Sequence, residues 1–273
     1  VLPGSSEQEL FFSTYICHPS LANHELSGPV VLALACLLLS QCEHRYTYRF
    51  LFAPETIGSL VYLSQNGSYL KDHMQAGYVV ASVGAPGPFT YKRSRRGGTP
   101  ADRVAEHCLQ HSSSGTSVKI RDFDPLGSDE RQYCSPGFNL PVGVLSHLMY
   151  DTYPEYHTSL DNLEFVSSEI IVESLRMCMR MVQVHELNQT YMNLSPYGEP
   201  QLGKRGMYPS VSGTASGSYA AGSEAAVRKL YLLAYSDGSN DLIDIANRMG
   251  RPVWEFAQDI EDLANVGLLG LAK

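Results

Sequence analysis

The sequence predicts an α/β fold, with a mixed, mostly parallel sheet sandwiched by helices. Strand-like and helix-like segments alternate along the chain, and the strands are continuous apolar runs, which is typical of strands buried on both faces. The composition supports this prediction, because 273 residues with 44% hydrophobic and 18% charged side chains can bury a full core. The length suits one large domain with a small appendage.

Each predicted strand is an apolar run that a turn or a polar loop closes. The first run, Leu10 to Cys17, stops before Pro19, because proline has no N–H to donate to a sheet. Apolar or amphipathic helical segments separate the later runs. The predicted strands are residues 10–17, 45–52, 77–83, 89–93, 118–123 and 140–148. The predicted helices are residues 27–42, 59–70, 100–111 and 164–187.

The composition changes after Asn193, which predicts a second, smaller domain. Residues 208–222 are rich in Gly, Ser and Ala and are typical of a linker. Residues 223–273 have three short helical segments with tight turns, the layout of a small helix-turn-helix or winged-helix module. We therefore divide the chain into a main domain at 1–207, the linker, and this C-terminal module. Its exposed face is acidic, which makes it a poor reader of DNA, so we interpret it as a docking module.

The net charge and the cysteine pattern indicate which partners and which compartment to expect. The formal charge is −8, from 20 basic and 28 acidic residues, and this argues against nucleic acid as the main partner. Six cysteines without a CxxC pair are typical of free thiols in a reducing compartment, so we expect a cytoplasmic protein. No segment resembles a signal peptide and no membrane partner is expected. Because the chain starts at Val1, without Met, we expect that an N-terminal portion is missing; homo-oligomerisation stays open.

The stretch after the first predicted strand concentrates potential metal ligands. His18, His24 and Glu25 lie within eight residues of one another, and open α/β sheets place their sites at the carboxyl ends of strands. Neutral imidazole and carboxylate both suit zinc. A hydrogen-bonded structural histidine is the alternative interpretation of such a strand end. We do not expect thiolates to hold the zinc, although Cys17 or Cys134 could lie near such a site.

Three later positions extend this set of candidates. Glu55 ends the second predicted strand and could act as a general base or a ligand, or it could simply cap the next helix. Asp129 lies in a polar loop before the late strand, where it could be a ligand, an orienting residue or a solvated side chain. His157 stands between Glu155 and Asp161, carboxylates that could fix a metal-binding tautomer; the alternative is a surface histidine.

The order of these motifs resembles the zinc aminopeptidase clan of the M28 type. The similarity is closer to the bacterial DUF4910 aminopeptidase-like family, and it rests on the strings CHPSLAN, LSGP, PETIGS, YKRSR, GSDERQYCSPGFNLPVG, EYHTSLDN and GEPQLGKRG. The resemblance covers nearly all of the chain. It implies an M28-like catalytic domain joined to a C-terminal winged helix, usually with a further small domain towards the N-terminus.

The resemblance also implies a zinc site, but this sequence departs from the clan's ligand set. His18 and His157 match the first and last histidine ligands. His24 stands where the clan has a bridging aspartate, and Ala85 lies in the stretch where a further aspartate ligand is expected. One zinc held by His18, His157 and either His24 or Glu25, with a water as the fourth ligand, is the expected arrangement. A second zinc stays open.

Three functional hypotheses follow. The first is a zinc-dependent, aminopeptidase-like hydrolase that acts on a small peptide or aminoacyl amide and removes an N-terminal amino acid. The second is a catalytically degenerate protein that binds a peptide or a sugar-linked metabolite and docks a partner through its winged helix. The third is a transcription regulator that contacts DNA through Arg248 and Arg251, which the acidic balance opposes. The residues assigned under the first hypothesis are Glu55 as the base, His18, His24, Asp129 and His157 as metal ligands, and Glu25, Arg131 and Tyr156 as substrate contacts.

Overall fold

In the computed structural model the chain forms two units, Val1–Val182 and Gln183–Lys273. The structure describes residues 1–112, 118–150, 152–207 and 224–272. The strands of the first unit are β1 (Glu9–Tyr15), β2 (Thr47–Ala53), β3 (Met74–Val80), β4 (Phe89–Lys92), β5 (Val118–Arg121) and β6 (Val142–Ser146). The helices along this part of the chain are α1 (Ser27–Leu39), α2 (Ile57–His73), α3 (Pro100–Gln110), α4 (Glu130–Tyr133) and α5 (Ser168–Leu187).

The six strands form one sheet in the order β2-β1-β3-β6-β4-β5. All neighbouring pairs are parallel except β4 and β6, which run antiparallel. The sheet therefore confirms the predicted mixed, mostly parallel architecture. β1 lies inside the sheet, and all seven of its residues are buried, which explains why its sequence is a continuous apolar run.

The side chains of β1 alternate between the two faces of this sheet, so both faces are apolar. Helices cover both of them. On one face Phe11 and Tyr15 pack in a buried cluster with Leu63 and Leu70 of α2. On the other face Thr14 lies against the first turn of α1. A Cβ added to Gly28 in that turn would collide with the Thr14 hydroxyl and with the backbone carbonyl of β3. The close approach of α1 to the sheet thus requires glycine at this position.

The second unit has the elements of a winged helix. Its strands are β7 (Thr190–Asn193), β8 (Asp237–Asp241) and β9 (Leu269–Leu271), and its helices are α6 (Glu224–Tyr235), α7 (Leu242–Met249) and α8 (Ala257–Asn265). β7 pairs antiparallel with both β8 and β9. Because β7 belongs to this sheet, the second unit begins at Gln183, earlier than the predicted boundary at residue 207. The predicted linker 208–222 lies outside the described residues.

The cations of the first helix in this unit are paired. Arg228 donates to Asp259 at 2.5 Å, and Lys229 lies 3.3 Å from Asp259 and 2.7 Å from Asp262. Both acids lie on α8, so the acidic character predicted for this module is partly neutralised by α6. Asp241 caps α7 by accepting a hydrogen bond from the backbone N–H of Asp244.

Among the described residues, one helical window has the length and composition of a membrane span, Ala22–Leu39. More than half of this window, 56%, is buried inside the fold. A core helix of a folded α/β domain has the same properties, and α1 covers the sheet here.

Candidate metal centre

Three histidines meet at the carboxyl end of the parallel strands. His18 follows β1, His24 lies in a single π-helical turn, Ala22–Leu26, that leads into α1, and His157 lies in the loop between β6 and α5. One ring nitrogen of each histidine lies within 4.8 Å of those of the other two. The ring centroids are 4.8 Å apart for His18 and His157, and 4.9 Å apart for His24 and His157. The structure thus brings together three of the four predicted metal ligands.

Asp161 joins the two segments that carry this cluster. Its buried carboxylate accepts hydrogen bonds from the backbone N–H groups of Asn23, at 2.6 Å, and His24, at 3.0 Å. Its backbone carbonyl accepts a third from Ala22, at 3.0 Å. A π-helical turn rotates successive side chains less than an α-helix does, and such turns are frequent at functional sites. Asp161 therefore holds the turn of His24 against the loop of His157.

Glu25 points into the protein and orients His18. Its side chain is fully buried, and Oε1 lies 2.9 Å from Nδ1 of His18. Oε2 accepts a hydrogen bond of 2.7 Å from the backbone N–H of Cys17. Burial alone would raise the pKa of Glu25, but these hydrogen bonds outweigh it and lower the pKa. The carboxylate is buried and contacts His18 and Cys17, and the substrate contact of Glu25 stays a prediction.

His24 is the deepest member of the cluster, with 1% of its surface exposed. Its Nδ1 lies 3.3 Å from the Ser82 hydroxyl. Its Nε2 is buried 3.4 Å from Oε1 of Glu25 and has no hydrogen-bond partner among the residues that the structure describes. Burial lowers the pKa of His24 to about 4, so the imidazole is neutral at pH 7. A neutral imidazole with an unsatisfied inward nitrogen fits a metal ligand, because buried polar atoms otherwise find partners.

Aromatic packing holds His157 in place at the rim of the cluster. The Tyr156 ring stacks on His157 with centroids 4.0 Å apart and meets His24 edge-on at 4.9 Å. The His157 backbone has φ of 55°, in the left-handed region that non-glycine residues seldom occupy. Tyr156 is half-buried at the cluster, and its contact with substrate stays a prediction.

Glu55 lies beside the histidines at the end of β2. A carboxylate oxygen of Glu55 and ligand atoms of His24 and Glu25 all lie within 4.8 Å of one another. The next residue, Thr56, has φ of 61° and donates its backbone N–H to Asp129 at 2.7 Å. The Ser59 hydroxyl donates to the same Asp129 oxygen at 2.9 Å.

Asp129 therefore holds the turn of Glu55 instead of joining the ligand atoms. The described residues that could hold a metal include no group with Asp129, so its predicted ligand role is corrected to an orienting one. Burial raises the pKa of Asp129 to about 6. Arg131 is exposed on α4, and none of the described contacts joins it to the cluster; its substrate contact stays a prediction.

The loop after β3 carries no acid where the clan's aspartate ligand was expected. Asn23 accepts hydrogen bonds from the backbone N–H groups of Gly84, at 2.8 Å, and Ala85, at 2.9 Å. Ala85 is fully buried. Sequence reasoning missed these roles of Asn23 and Ser82. Asn23 had a signal, since it opens the Asn-x-x-Leu-Ser-Gly motif, whereas Ser82, whose backbone φ is 52°, had none.

The fold and this cluster define an aminopeptidase-like α/β domain followed by a winged helix. Residues 1–188 match the sequence model described as a domain of unknown function, DUF4910, and residues 189–270 match a winged helix-turn-helix family. The chain belongs to the DUF4910 family, as its motifs predicted. The second match begins just before β7, in agreement with the early start of the second unit.

Two matches from Clostridium acetobutylicum, one to a sequence and one to a crystal structure, cover nearly the whole chain. One is provisionally named a polysaccharide biosynthesis protein with an aminopeptidase-like domain, and it is 41% identical over 268 residues, which are 98% of this chain and 60% of that protein. The other is the crystal structure of a provisionally assigned peptidase, with 38% identity and a TM-score of 0.88, covering 99% of this chain and 59% of that one. The chain thus spans about 60% of the length of these relatives.

Solved aminopeptidases share the fold over about two thirds of this chain. The zinc aminopeptidase from Bacillus subtilis aligns with a TM-score of 0.57 at 15% identity, over 68% of this chain and 48% of that one. The aminopeptidase from Aneurinibacillus sp. strain AM-1 aligns with a TM-score of 0.54 at 16% identity, over 67% and 44%. At these identities the likeness concerns the fold alone.

Proposed function

We propose that the first unit binds zinc through His18, His24 and His157 and hydrolyses an amide bond, removing an N-terminal amino acid or cleaving a related small amide. The observation that carries this proposal is the buried Nε2 of His24, which lacks a hydrogen-bond partner among the described residues and lies where two further imidazoles converge. Three protein ligands with an open fourth position are the usual set of a catalytic zinc site. The shared fold of a zinc aminopeptidase supports the choice of metal.

Zinc bound in this cluster would supply a Lewis acid that lowers the pKa of water and polarises an amide carbonyl. The protein's own residues prepare that chemistry. Glu25 occupies Nδ1 of His18 and Ser82 lies at Nδ1 of His24, so in each ring the other nitrogen is left as the ligand atom. Glu55 accepts the proton of the attacking water and returns it to the leaving amine. Asp129 fixes the backbone beside Glu55 through Thr56.

The substrate class follows from the fold and from a relative's name. A free N-terminal amino acid or a small aminoacyl amide is the first choice, since the fold is that of aminopeptidases. The polysaccharide biosynthesis named for the Clostridium relative adds amides of amino sugars as a second class. A cytoplasmic location is proposed because all six cysteines are free.

The experiment pairs metal content with hydrolysis of a panel of aminoacyl amides and acylated amino sugars. We expect His18→Ala and His157→Ala each to lose bound zinc and activity. The matched control is His73→Ala, at the end of α2, where the imidazole contacts a backbone carbonyl. If both cluster variants keep the zinc content and activity of the wild type, the proposed function is wrong.

A second candidate function is a ligand-binding protein that has lost catalysis. It is favoured by the buried Ala85 and by His24, which stand where the resemblance implies carboxylates. This candidate predicts a peptide or sugar-linked ligand whose affinity survives a chelator. The winged helix is then a docking module, and the ion pairs of Arg228 and Lys229 leave these cations unsuited to a DNA backbone.

A further inference from the structure

We propose that the first unit has a second ligand site, a basic groove that binds the phosphate group of a small molecule. The groove lies between the end of α2, the loop after β4 and the loop before β6, and its volume is about 950 Å³. Binding sites for small molecules usually measure about 300–1,000 Å³. The groove shares no residue with the metal cluster, so its role goes beyond the proposed function.

The groove lies at the edge of the sheet opposite to the histidines. Met74, the first residue of β3, and Pro141, which directly precedes β6, both line it. The histidines lie beyond the carboxyl ends of these parallel strands, and the seven residues of β3 span about 20 Å. Because β4 runs antiparallel to β6, the loop that follows β4 reaches the amino edge of the sheet with Arg95 and Arg96.

Three cations lie at this groove, and their hydrogen-bond partners are neutral. Lys71 and Arg96 line it, and the described residues that line it include no acid. Lys71 donates to the backbone carbonyl of Gly137 at 3.1 Å. Arg95 donates at 2.6 Å to the side-chain oxygen of Asn139, which lines the groove. Within the described part of the chain, none of the three cations forms an ion pair with an acid.

A neighbouring cation on the same loop has the opposite environment. Arg93 lies 2.6 Å from Glu106 and 2.7 Å from Asp122. The chain has 28 acidic and 20 basic residues, so acids are abundant enough to pair with the cations of the groove as well. Their separation from acids leaves a positive field in a concave surface, and an anion is the ligand that complements it.

The loop that carries the two arginines is fixed at both ends. The buried carboxylate of Asp102 accepts hydrogen bonds from the backbone N–H of Ser94, at 2.7 Å, and from that of Thr99, at 3.0 Å. The hydroxyls of Ser94 and Thr99 donate to the same carboxylate at 2.6 Å and 2.8 Å. Gly97 and Gly98 turn the loop between these ends, with φ of 63° and 65°. A loop that is already fixed loses little conformational entropy when a ligand binds, which favours affinity.

The chemistry of the groove favours phosphate over a single carboxylate. A guanidinium fork can bind either group through two hydrogen bonds. A phosphate monoester carries up to two charges, however, and so complements several cations at once. Phe138 and Pro136 form apolar walls beside the cations, and such walls suit the ring of a phosphorylated compound. The net charge of −8 disfavours a long nucleic acid as the occupant.

Isothermal titration calorimetry of the full chain with ADP, inorganic phosphate and adenosine tests the phosphate site. We expect ADP to bind, phosphate to bind more weakly, and uncharged adenosine to bind least. Arg96→Gln and Lys71→Gln should each weaken ADP binding about tenfold, whereas the control Arg176→Gln, at an exposed position of α5, should not change it. Gly137→Leu should also weaken ADP binding, because it places a side chain in the groove, where an added Cβ meets no atom within 4 Å, without changing the charge.

Each titration is repeated with chelator, and the affinity for ADP should stay the same. If neither ADP nor phosphate binds, or if binding is unchanged in Arg96→Gln, Lys71→Gln and Gly137→Leu, the groove is not a phosphate site and the metal centre still stands. Loss of ADP binding with chelator would assign the ligand to the metal centre and overturn the groove. Succinate that binds as tightly as phosphate would overturn the choice of phosphate. A DNA duplex that displaces ADP and binds more tightly would overturn the choice of a small molecule.

Discussion

Asp161→Asn tests the hydrogen bonds that hold the two segments of the metal cluster together. The carboxylate uses both oxygens, accepting backbone N–H groups of Asn23 at 2.6 Å and His24 at 3.0 Å, and it is 1% exposed. Asparagine keeps one acceptor and turns an NH₂ group towards the other N–H. Hydrogen bonds to a charged group contribute about 1.5–3 kcal/mol, and an unsatisfied buried N–H costs about as much. We therefore expect a loss of about 2–4 kcal/mol in the free energy of unfolding.

The same substitution should weaken metal binding. Loss of a group that orients a ligand costs about 10–100-fold in metal affinity, and Asp161 orients the segment of His24. Stability is measured by urea unfolding with chelator present, and zinc affinity by competition with a chromophoric chelator. The control is Glu155→Gln in the same loop. A stability loss below about 0.5 kcal/mol, within the range of ordinary surface substitutions, together with unchanged zinc affinity, would refute this role of Asp161.

Three further predictions concern stability measured by chemical denaturation with chelator present. The folded pKa of Asp129 is about 6 against an ordinary 3.8, so the folded state holds the proton more tightly. As pH rises from about 3 to about 7, the free energy of unfolding of the wild type should fall by about 3 kcal/mol relative to that of Asp129→Asn, and parallel pH profiles would contradict this. Gly28→Ala should lower the free energy of unfolding by about 1–3 kcal/mol through overpacking. The control Gly137→Ala, whose added Cβ meets no atom within 4 Å, should lower it far less. Equal losses would refute the close approach of α1. Lys92→Met should lower the free energy of unfolding by about 3–5 kcal/mol, because it leaves the buried Glu130, 3.0 Å away, without its cation. Adding Glu130→Gln should recover part of that loss, and no recovery would count against the pair.

Much of the site could be predicted from the sequence because it depends on local signals. The strand β1 ends before Pro19, and this places His18 at the carboxyl edge of the sheet whatever the rest of the chain does. The motif around His157 likewise predicted a ligand between a late strand and a long helix. These positions follow from the alternation of strands and helices, and the structure brings them together.

The orientation of side chains within these segments could not be predicted. Glu25 turns inward because the chain forms a π-helical turn instead of a regular first turn of α1, and no sequence pattern marks that change. Asp129 is buried behind the turn of Glu55, where it accepts a hydrogen bond from the N–H of Thr56. This contact could not be predicted because the two residues are 73 positions apart in sequence. A polar loop residue of this kind looks solvated when only its neighbours in sequence are considered.

The boundary of the second unit was predicted too late for a similar reason. β7 has four residues, Thr190–Asn193, and its pairing partners β8 and β9 lie far downstream. An isolated strand of this length has little hydrophobic pattern. The helix α7, which has a clear apolar face and the capping residue Asp241, is one of the short helical segments predicted for this module.

The most direct test of this account is the zinc content of the purified full chain by plasma mass spectrometry, with and without chelator. We expect zinc in the wild type and in His73→Ala, its removal by chelator, and its loss in His24→Ala, which deletes the buried Nε2. Wild-type protein without zinc, or His24→Ala with the wild-type amount, would contradict the metal centre and favour a ligand-binding protein.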